Sequence, residues 1–573
     1  MKARPIGVMA FDRDRLQREL AAVESLELYS SRDGIEGWSH RILWAGPWAS
    51  SPPPAHEDLR SSFPYLDALI AAVFATEHIH LVRVFVATAG GYVRPHRDWH
   101  GTTPLFTRLH IPLRSDAHCL NSEAGDVYRM QVGEIWYLDG GRPHSGGCFS
   151  DTRRVHLVID FNPDPPLHRL FRDPERYRPF APAMLVERDR QGPDDLSAIY
   201  GLSRIATRKN LPHMLDLLAA VHFDKQVGCA EVYDWLIDIA RLTGDPETIR
   251  AAARFKAAYV GPHPPDQEGG EVGRGPPVAK PNRIDLGGAA GHGAEHGSGK
   301  APGSRILGRI DLDPARLSAE IATIAGLDME TCRGYSAGDW RKFNAWIRSD
   351  QKTSSAKVDL GPALPYLTSI IHRSFDDRLI DTVYFFVAEN GGFLLPHRDW
   401  ARSRPLHVRL HLPLQSDDEC FNSEDDALFQ MRVGEIWFLD AGRVHSAGCF
   451  SQGMRLHLVM DFAPDTSPED LVADPASRCF RSPRPLANRR KLGDEDLAAI
   501  YGLATLASER TFPRLANFLA SLHYDREVHC AAVYGWLNEI ARRTGNPRLV
   551  ERAAELEARY IHPFGPSDSA EPP

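Results

Sequence analysis

Cysteine is scarce in this chain, with eight in 573 residues, too few for a framework of disulfides. Three of them recur at one spacing (Cys119 with Cys420, Cys148 with Cys449, Cys229 with Cys530), in settings that suit small buried packing residues and reduced thiols. No segment reaches the roughly 18 apolar residues of a membrane span, and the stretch from Met1 to Val8 lacks the apolar run of a secretory signal. Nor is there an excess of positive charge: 67 Lys and Arg stand against 76 Asp and Glu, for a net charge of -9. Without a basic block, nucleic acid is not an expected partner. A cytoplasmic protein with no membrane contact is expected. Large apolar residues are sparse between 264 and 304, where 11 glycines and 6 prolines fall in 41 residues. Such a segment cannot bury enough surface to fold and reads as a flexible linker, with its His292 and His296 solvated.

What the chain does contain, it contains twice. Residues 90–161 align with 391–462 at a constant offset of 301 without a gap, with 42 of 72 positions identical. A repeat of that length sets the architecture before any local assignment.

The repeated stretch carries His96-Arg97-Asp98 and, 48 residues after the first His, His144; the second copy carries His397, Asp399 and His445 at the same spacing. In an extended segment residues i and i+2 point the same way, so His96 and Asp98 can reach one ion while the third ligand arrives from a distant strand. Two imidazoles and one carboxylate on one face of a metal leave adjacent positions open. That arrangement suits Fe(II) enzymes that hold a chelating cosubstrate and O2 together.

The strands around the triad support this reading. Leu109, Ile111 and Leu113 alternate with Arg108 and His110, and Val155, Leu157 and Ile159 alternate with Arg154 and His156. If the apolar sides pack against helices, the cationic sides face a barrel interior, where an unpaired Arg costs several kcal/mol. An anion is expected there.

Several segments of the two copies carry a family resemblance. Its segments are His-Arg-Asp-Trp at 96–99 and 397–400, Asn-Ser-Glu at 121–123 and 422–424, Gly434 to Asp440, His445 to Ser451, and Val533 to Leu537. Each half resembles the bacterial L-proline cis-4-hydroxylases and, more loosely, the proline 3-hydroxylase and aspartyl/asparaginyl β-hydroxylase branch of the Fe(II)/2-oxoglutarate oxygenases. The resemblance implies that Arg154 and Arg455 bind the far carboxylate of 2-oxoglutarate, with His110 and His411 also at the cosubstrate. Contacts to an amino-acid substrate are implied for Arg83, Arg108 and Arg409. Trp99 and Trp400, beside the ligand pair, are candidates for the substrate wall.

The expected fold is α+β with a mainly β core: two tandem double-stranded β-helix (jelly-roll, cupin-like) domains, each with a C-terminal helical subdomain. The boundaries read as barrel 1–162, helices 163–263, linker 264–304, barrel 305–463, and helices with a tail 464–573. Helical stripes such as Trp235, Leu236 and Ile239 read as core. The tandem domains are expected to act as an internal pseudo-dimer, using O2 and a small amino-acid substrate. The copies differ at Arg83, whose counterpart is Tyr384, and after the ligand pair, at 100–103 against 401–404. Different substrates, or different positions on one substrate, follow. The expected activity is hydroxylation of a free L-amino acid, L-proline or a cyclic relative first. A hydroxylase of peptidyl or carrier-bound side chains, or a cupin-like binding protein without turnover, remain the alternatives.

Overall fold

A computed structural model describes residues 2–26, 28–30, 37–47, 58–99, 105–182, 185–261, 303–327, 329–332, 336–347, 361–400, 406–486 and 489–562. Most of the linker, His292 and His296, and the divergent loops at 100–103 and 401–404 lie outside them. The chain divides into two compact units, residues 1–285 with 510–514 and the remainder from 286 onward.

In the first unit the strands are β1 (Arg4–Val8), β2 (Tyr29–Ser30), β3 (Trp38–Ala45), β4 (Ile79–Ala87), β5 (Tyr92–His96), β6 (Thr107–Arg114), β7 (Cys119–Glu123), β8 (Asp126–Tyr128), β9 (Glu134–Leu138), β10 (His144–Cys148) and β11 (Arg154–Phe161). They form a seven-stranded sheet ordered β1-β9-β6-β11-β4-β3-β2 and a four-stranded sheet ordered β5-β10-β7-β8. The paired strands are antiparallel throughout. The two sheets face each other, since Arg154 on β11 donates to Asn121 Oδ1 on β7 at 2.6 Å. This is a double-stranded β-helix, and it occurs twice.

In the second unit the corresponding strands, with one further strand at Arg478–Arg481, join into a single eleven-stranded sheet. The reason is local. Ile380–Leu394 runs unbroken from one sheet to the other, where the first unit ends β4 at Ala87 and starts β5 at Tyr92. Gly90 and Gly391 mark the crossing with φ of 76° and 83°, a conformation that glycine adopts without strain.

Period-two alternation determines what each face meets. Leu109, Ile111, Leu113, Val155, Leu157 and Ile159 point outward into one core, shared with Leu16, Leu20 and Val23 of α1 (Arg13–Glu24) and Leu66 and Ile70 of α2 (Pro64–Val73). Arg108, His110, Arg154 and His156 therefore point inward, and all are buried.

One buried charge in this layer belongs to the fold. Glu19 on α1 accepts from the first-turn amides of α2, Tyr65 N at 2.5 Å and Leu66 N at 2.9 Å. The repeat preserves it: Glu320 accepts from Tyr366 N at 2.6 Å and Leu367 N at 2.9 Å. A carboxylate on the free amides of a helix N-terminus satisfies donors that have no intrahelical partner and complements the helix dipole. Glu19→Ala and Glu320→Ala are each expected to destabilise their unit by about 1 to 3 kcal/mol, read as a lower urea midpoint.

After β11 come α3 (Pro193–Gly201), α4 (Leu211–Val221), α5 (Glu231–Thr243) and α6 (Pro246–Tyr259). Trp235, Leu236 and Ile239 are buried as core. The helices also brace the strand that bears His96. Tyr233 on α5 donates to Pro95 O at 2.7 Å, and Arg97 N donates to Tyr259 O at 2.9 Å. Tyr534 and Tyr560 do the same for Pro396 and Arg398. All eight cysteines are free, and seven of them are buried.

Candidate metal centre

His96 closes β5, and His144 opens β10 directly opposite it in the strand register. Their ring centroids lie 4.4 Å apart. Asp98, two residues past His96, lies 3.8 Å from His96 Nε2 through Oδ1 and 3.7 Å from His144 Nε2 through Oδ2. His397, Asp399 and His445 repeat the cluster, again with ring centroids 4.4 Å apart. Among the described residues these are the two groups of histidine, cysteine and carboxylate side chains close enough to hold a metal ion.

Strand geometry fixes which nitrogen faces the ion. Each of the four histidines places Nδ1 on the carbonyl two residues before it: His96 on Arg94 O at 2.8 Å, His144 on Arg142 O at 2.9 Å, His397 on Leu395 O at 2.7 Å and His445 on Arg443 O at 3.0 Å. A carbonyl can only accept, so Nδ1 carries the proton and Nε2 presents its lone pair. Burial, with the neighbouring imidazole, lowers the pKa of His144 and of His445 to about 4, so both are neutral near pH 7.

Arg108 holds the carboxylate of the triad. Its Nη1 donates to Asp98 Oδ1 at 2.7 Å, while Nε and Nη2 donate to Asp160 at 2.8 and 3.2 Å. Burial alone would raise the Asp98 carboxyl, but Arg108, His144 and His96 together hold it well below the ordinary carboxylate range. Its Oδ2 is buried with no hydrogen-bond partner. In the second unit Arg409 bridges Asp399 and Asp461 in the same way. Arg108 and Arg409, expected to meet a substrate carboxylate, are thus occupied by carboxylates of the protein and act on the metal ligand. Arg83 also pairs with Asp160. Arg108→Leu and Arg409→Leu are expected to weaken metal binding at their own centres by roughly 10- to 100-fold, measured by metal titration. Lysine should not rescue them, because a single ammonium cannot bridge two carboxylates as the planar guanidinium does.

Arg154 is different in kind. It is buried, its Nη2 bonds Asn121 Oδ1, its Nε bonds His156 at 3.0 Å, and its Nη1 has no partner. No carboxylate pairs with it among the described residues. Arg455 matches it, with Nη2 on Asn422 Oδ1 at 2.9 Å and with Nε and Nη1 unpartnered. Each guanidinium lies over an indole, Trp38 at 5.0 Å and Trp340 at 5.1 Å. Gly146 leaves room beside the unpartnered nitrogen: a Cβ there would come within 2.9 Å of Arg154 Nη1. Both ring nitrogens of His110, and Nε2 of His411, are buried without partners. Burial, with the neighbouring arginines, keeps both rings neutral.

In the second unit these groups line one cavity of about 360 Å³, which contains His397, Asp399, His445, Arg455, His411 and Trp400. Trp99 is buried edge-on against Phe106 with 5.2 Å between centroids, and Trp400 lies 4.7 Å from His407. Sequence reasoning passed over Asp160 and Trp38, and it noted Asn121 within a motif without giving it a role. The first was within reach, because Asp160 shares the parity of Arg154 and His156 on β11.

Residues 12–163 and 309–464 each match the aspartyl/asparaginyl β-hydroxylase family, over more than half of the chain in all. The chain belongs to the aspartyl/asparaginyl β-hydroxylase family. Residues 167–267 and 468–564 match the C-terminal region of L-proline 3-hydroxylase. Among curated relatives in this hydroxylase group, L-proline cis-4-hydroxylase of Rhizobium meliloti is 30% identical over 45% of this chain and 95% of its own length. L-proline cis-3-hydroxylase 2 of a Streptomyces species is also 30% identical, over 44% of this chain and 93% of its own. A solved prolyl-4-hydroxylase from Pseudomonas putida is 17% identical, covering 27% of this chain and 89% of its own, with a TM-score of 0.19. Family and relatives make this chain an enzyme of the dioxygenase class, an amino-acid hydroxylase with a metal-binding triad in each half. No helix among the described residues is long and apolar enough to cross a membrane.

Proposed function

We propose that both halves are Fe(II)/2-oxoglutarate-dependent hydroxylases of a free L-amino acid, with L-proline or a related cyclic amino acid as the first candidate. The observation that carries the reading is the buried cation with open N–H groups, Arg154 or Arg455, in the same unit as a His-Asp-His triad. An unpaired guanidinium in such a site calls for an anion, and a dicarboxylate that chelates the metal at one end supplies it at the other.

The residues present fit those groups. His96, Asp98 and His144, or His397, Asp399 and His445, would hold the iron, and their imidazole and carboxylate donors suit Fe(II). Arg154 with Asn121, or Arg455 with Asn422, would take the far carboxylate. Bound iron and 2-oxoglutarate supply oxygen activation and the oxidation of an unactivated C–H bond, with succinate and CO2 as co-products. The protein's own work is positional. Arg108 and Arg409 keep the ligand carboxylate ionised and oriented, the four carbonyls hold the imidazoles in one tautomer, and Trp38 or Trp340 covers the cosubstrate arginine. Orientation of this kind is worth a large part of a barrier when the reacting groups are held close. Arg83 keeps a buried Nε without a partner, which leaves it a donor for a substrate carboxylate in the first half. A cytoplasmic setting, where the eight thiols stay reduced, is part of the reading.

The test is direct. Purified protein with Fe(II), 2-oxoglutarate and O2 is incubated with a panel of L-amino acids, and products are read by mass spectrometry for the gain of one oxygen atom. L-proline or a close relative should gain it, with succinate formed in step. Succinate release coupled to none of the panel would refute the free-amino-acid substrate.

A further inference from the structure

The loss of Arg83 in the second half is made good from the neighbouring strand. On β3, Trp38 pairs with Ala87 and His40 with Phe85; in the second unit Trp340 pairs with Ala388 and Lys342 with Phe386. An extra residue, Asp339, precedes Trp340, so the structural partner of His40 is Lys342, although the offset of 301 would match that lysine to Arg41. In the first unit the inner face of β3 and β4 thus offers His40 and Arg83. Burial, with Arg83 and Arg108, lowers the pKa of His40 to about 4, so Arg83 is the cation of the pair. In the second unit the same two places hold Lys342 and Tyr384, and the positive charge has moved one strand over.

Lys342 lines the cavity that contains His397, Asp399, His445 and Arg455. Its Nζ lies 4.2 Å from the centre of the Tyr384 ring. It has no carboxylate in ion-pair contact among the described residues, whereas Arg83 is paired with Asp160. Tyr384 occupies that place with its hydroxyl 3.4 Å from Asp461 Oδ1. Burial lowers the ammonium pKa of Lys342, and the nearby Arg409 adds to this, so a bound anion would stabilise the charged form. A half-buried ammonium over an aromatic face, with open cavity before it, is built to receive a carboxylate.

We infer that Lys342 anchors the substrate carboxylate in the second centre and determines its specificity for acidic or amino-acid substrates, the task Arg83 has in the first. This rests on the hydroxylase reading above.

The test uses the full chain with one centre disabled: His96→Ala leaves the second centre, and His397→Ala leaves the first. Binding of L-proline and of L-prolinamide, which lacks the carboxylate, is measured by calorimetry without oxygen, in the presence of Fe(II) and 2-oxoglutarate. The second centre should prefer L-proline by about tenfold or more, the worth of one charge-assisted contact. Lys342→Met should erase that preference, while the affinity for 2-oxoglutarate, which Arg455 sets, does not move. Lys342→His combined with Tyr384→Arg, which installs the first-half pair, should restore it. A preference that survives Lys342→Met, or a loss of 2-oxoglutarate affinity in its place, overturns the assignment. L-proline binding at the first centre alone makes the assignment fail by itself. Binding at neither centre refutes the proline reading and takes the assignment with it.

Discussion

The His96→Ala/His397→Ala double variant is expected to lose all metal-dependent turnover, and each single variant to lose only the share of its own half. Every centre has three side-chain ligands within 4.8 Å of one another, and the substitution leaves two. Removing a partner that merely orients a ligand already costs 10- to 100-fold in metal affinity, so loss of the ligand itself should exceed about 100-fold. The fold should survive, because the His96 ring bonds Arg94 O within its own strand, a contact worth about 1 kcal/mol. Metal content should fall from two ions per chain to one in each single variant and to none in the double variant. Succinate release by the two single variants should sum to that of the parent. Turnover persisting in the double variant would mean that the metal sits elsewhere.

Arg154→Met and Arg455→Met should each raise the 2-oxoglutarate requirement of their own centre by roughly one to two orders of magnitude. A charge-assisted contact contributes about 1.5 to 3 kcal/mol, and at 1.4 kcal/mol per decade that range gives the estimate. The rate at saturating cosubstrate should change far less, because iron and substrate contacts are untouched. A second readout separates this from simple damage. Without ligand, each guanidinium is buried with no carboxylate beside it among the described residues, and exchanging a buried charge for a hydrophobe of similar volume is often neutral or stabilising. The Met variants should therefore melt no lower than the parent when ligand-free, and gain less stability on adding 2-oxoglutarate with a non-reactive divalent metal. An unchanged cosubstrate requirement would place the anchoring cation elsewhere.

The metal ligands were legible because the chemistry is short-range: His96 and Asp98 sit two apart on an extended segment, and the repeat supplied the third ligand at the same distance in both copies. The inward turn of Arg154 was legible from alternation, since Val155, Leu157 and Ile159 forced it, while its place at the cosubstrate came only from the resemblance. Asp160 lay on that same face and was missed because a lone aspartate near the end of an apolar strand reads as a strand terminus. Lys342 was hidden by a single residue. The constant offset holds through the barrel core, but Asp339 breaks it on the preceding strand, so the alignment paired Lys342 with Arg41 and a relocated charge looked like a lost one. The contact from Tyr233 to Pro95, 138 residues apart, has no local signature at all. A helix stripe announces that a face is buried, not which strand it meets.

The carbonyls that orient the four imidazoles belong to the backbone of the residues two places earlier, and backbone is not subject to substitution. A centre aligned in this way places few conditions on the side chains of its pocket. Phe106 could become His407, Gly146 could become Ala447, and Arg83 could become Tyr384, while the lone pairs kept their direction. For a duplicated gene this separates what must be inherited from what is free to drift. Either copy can try a new substrate by changing a pocket side chain, without first passing through an ancestor that has lost its metal.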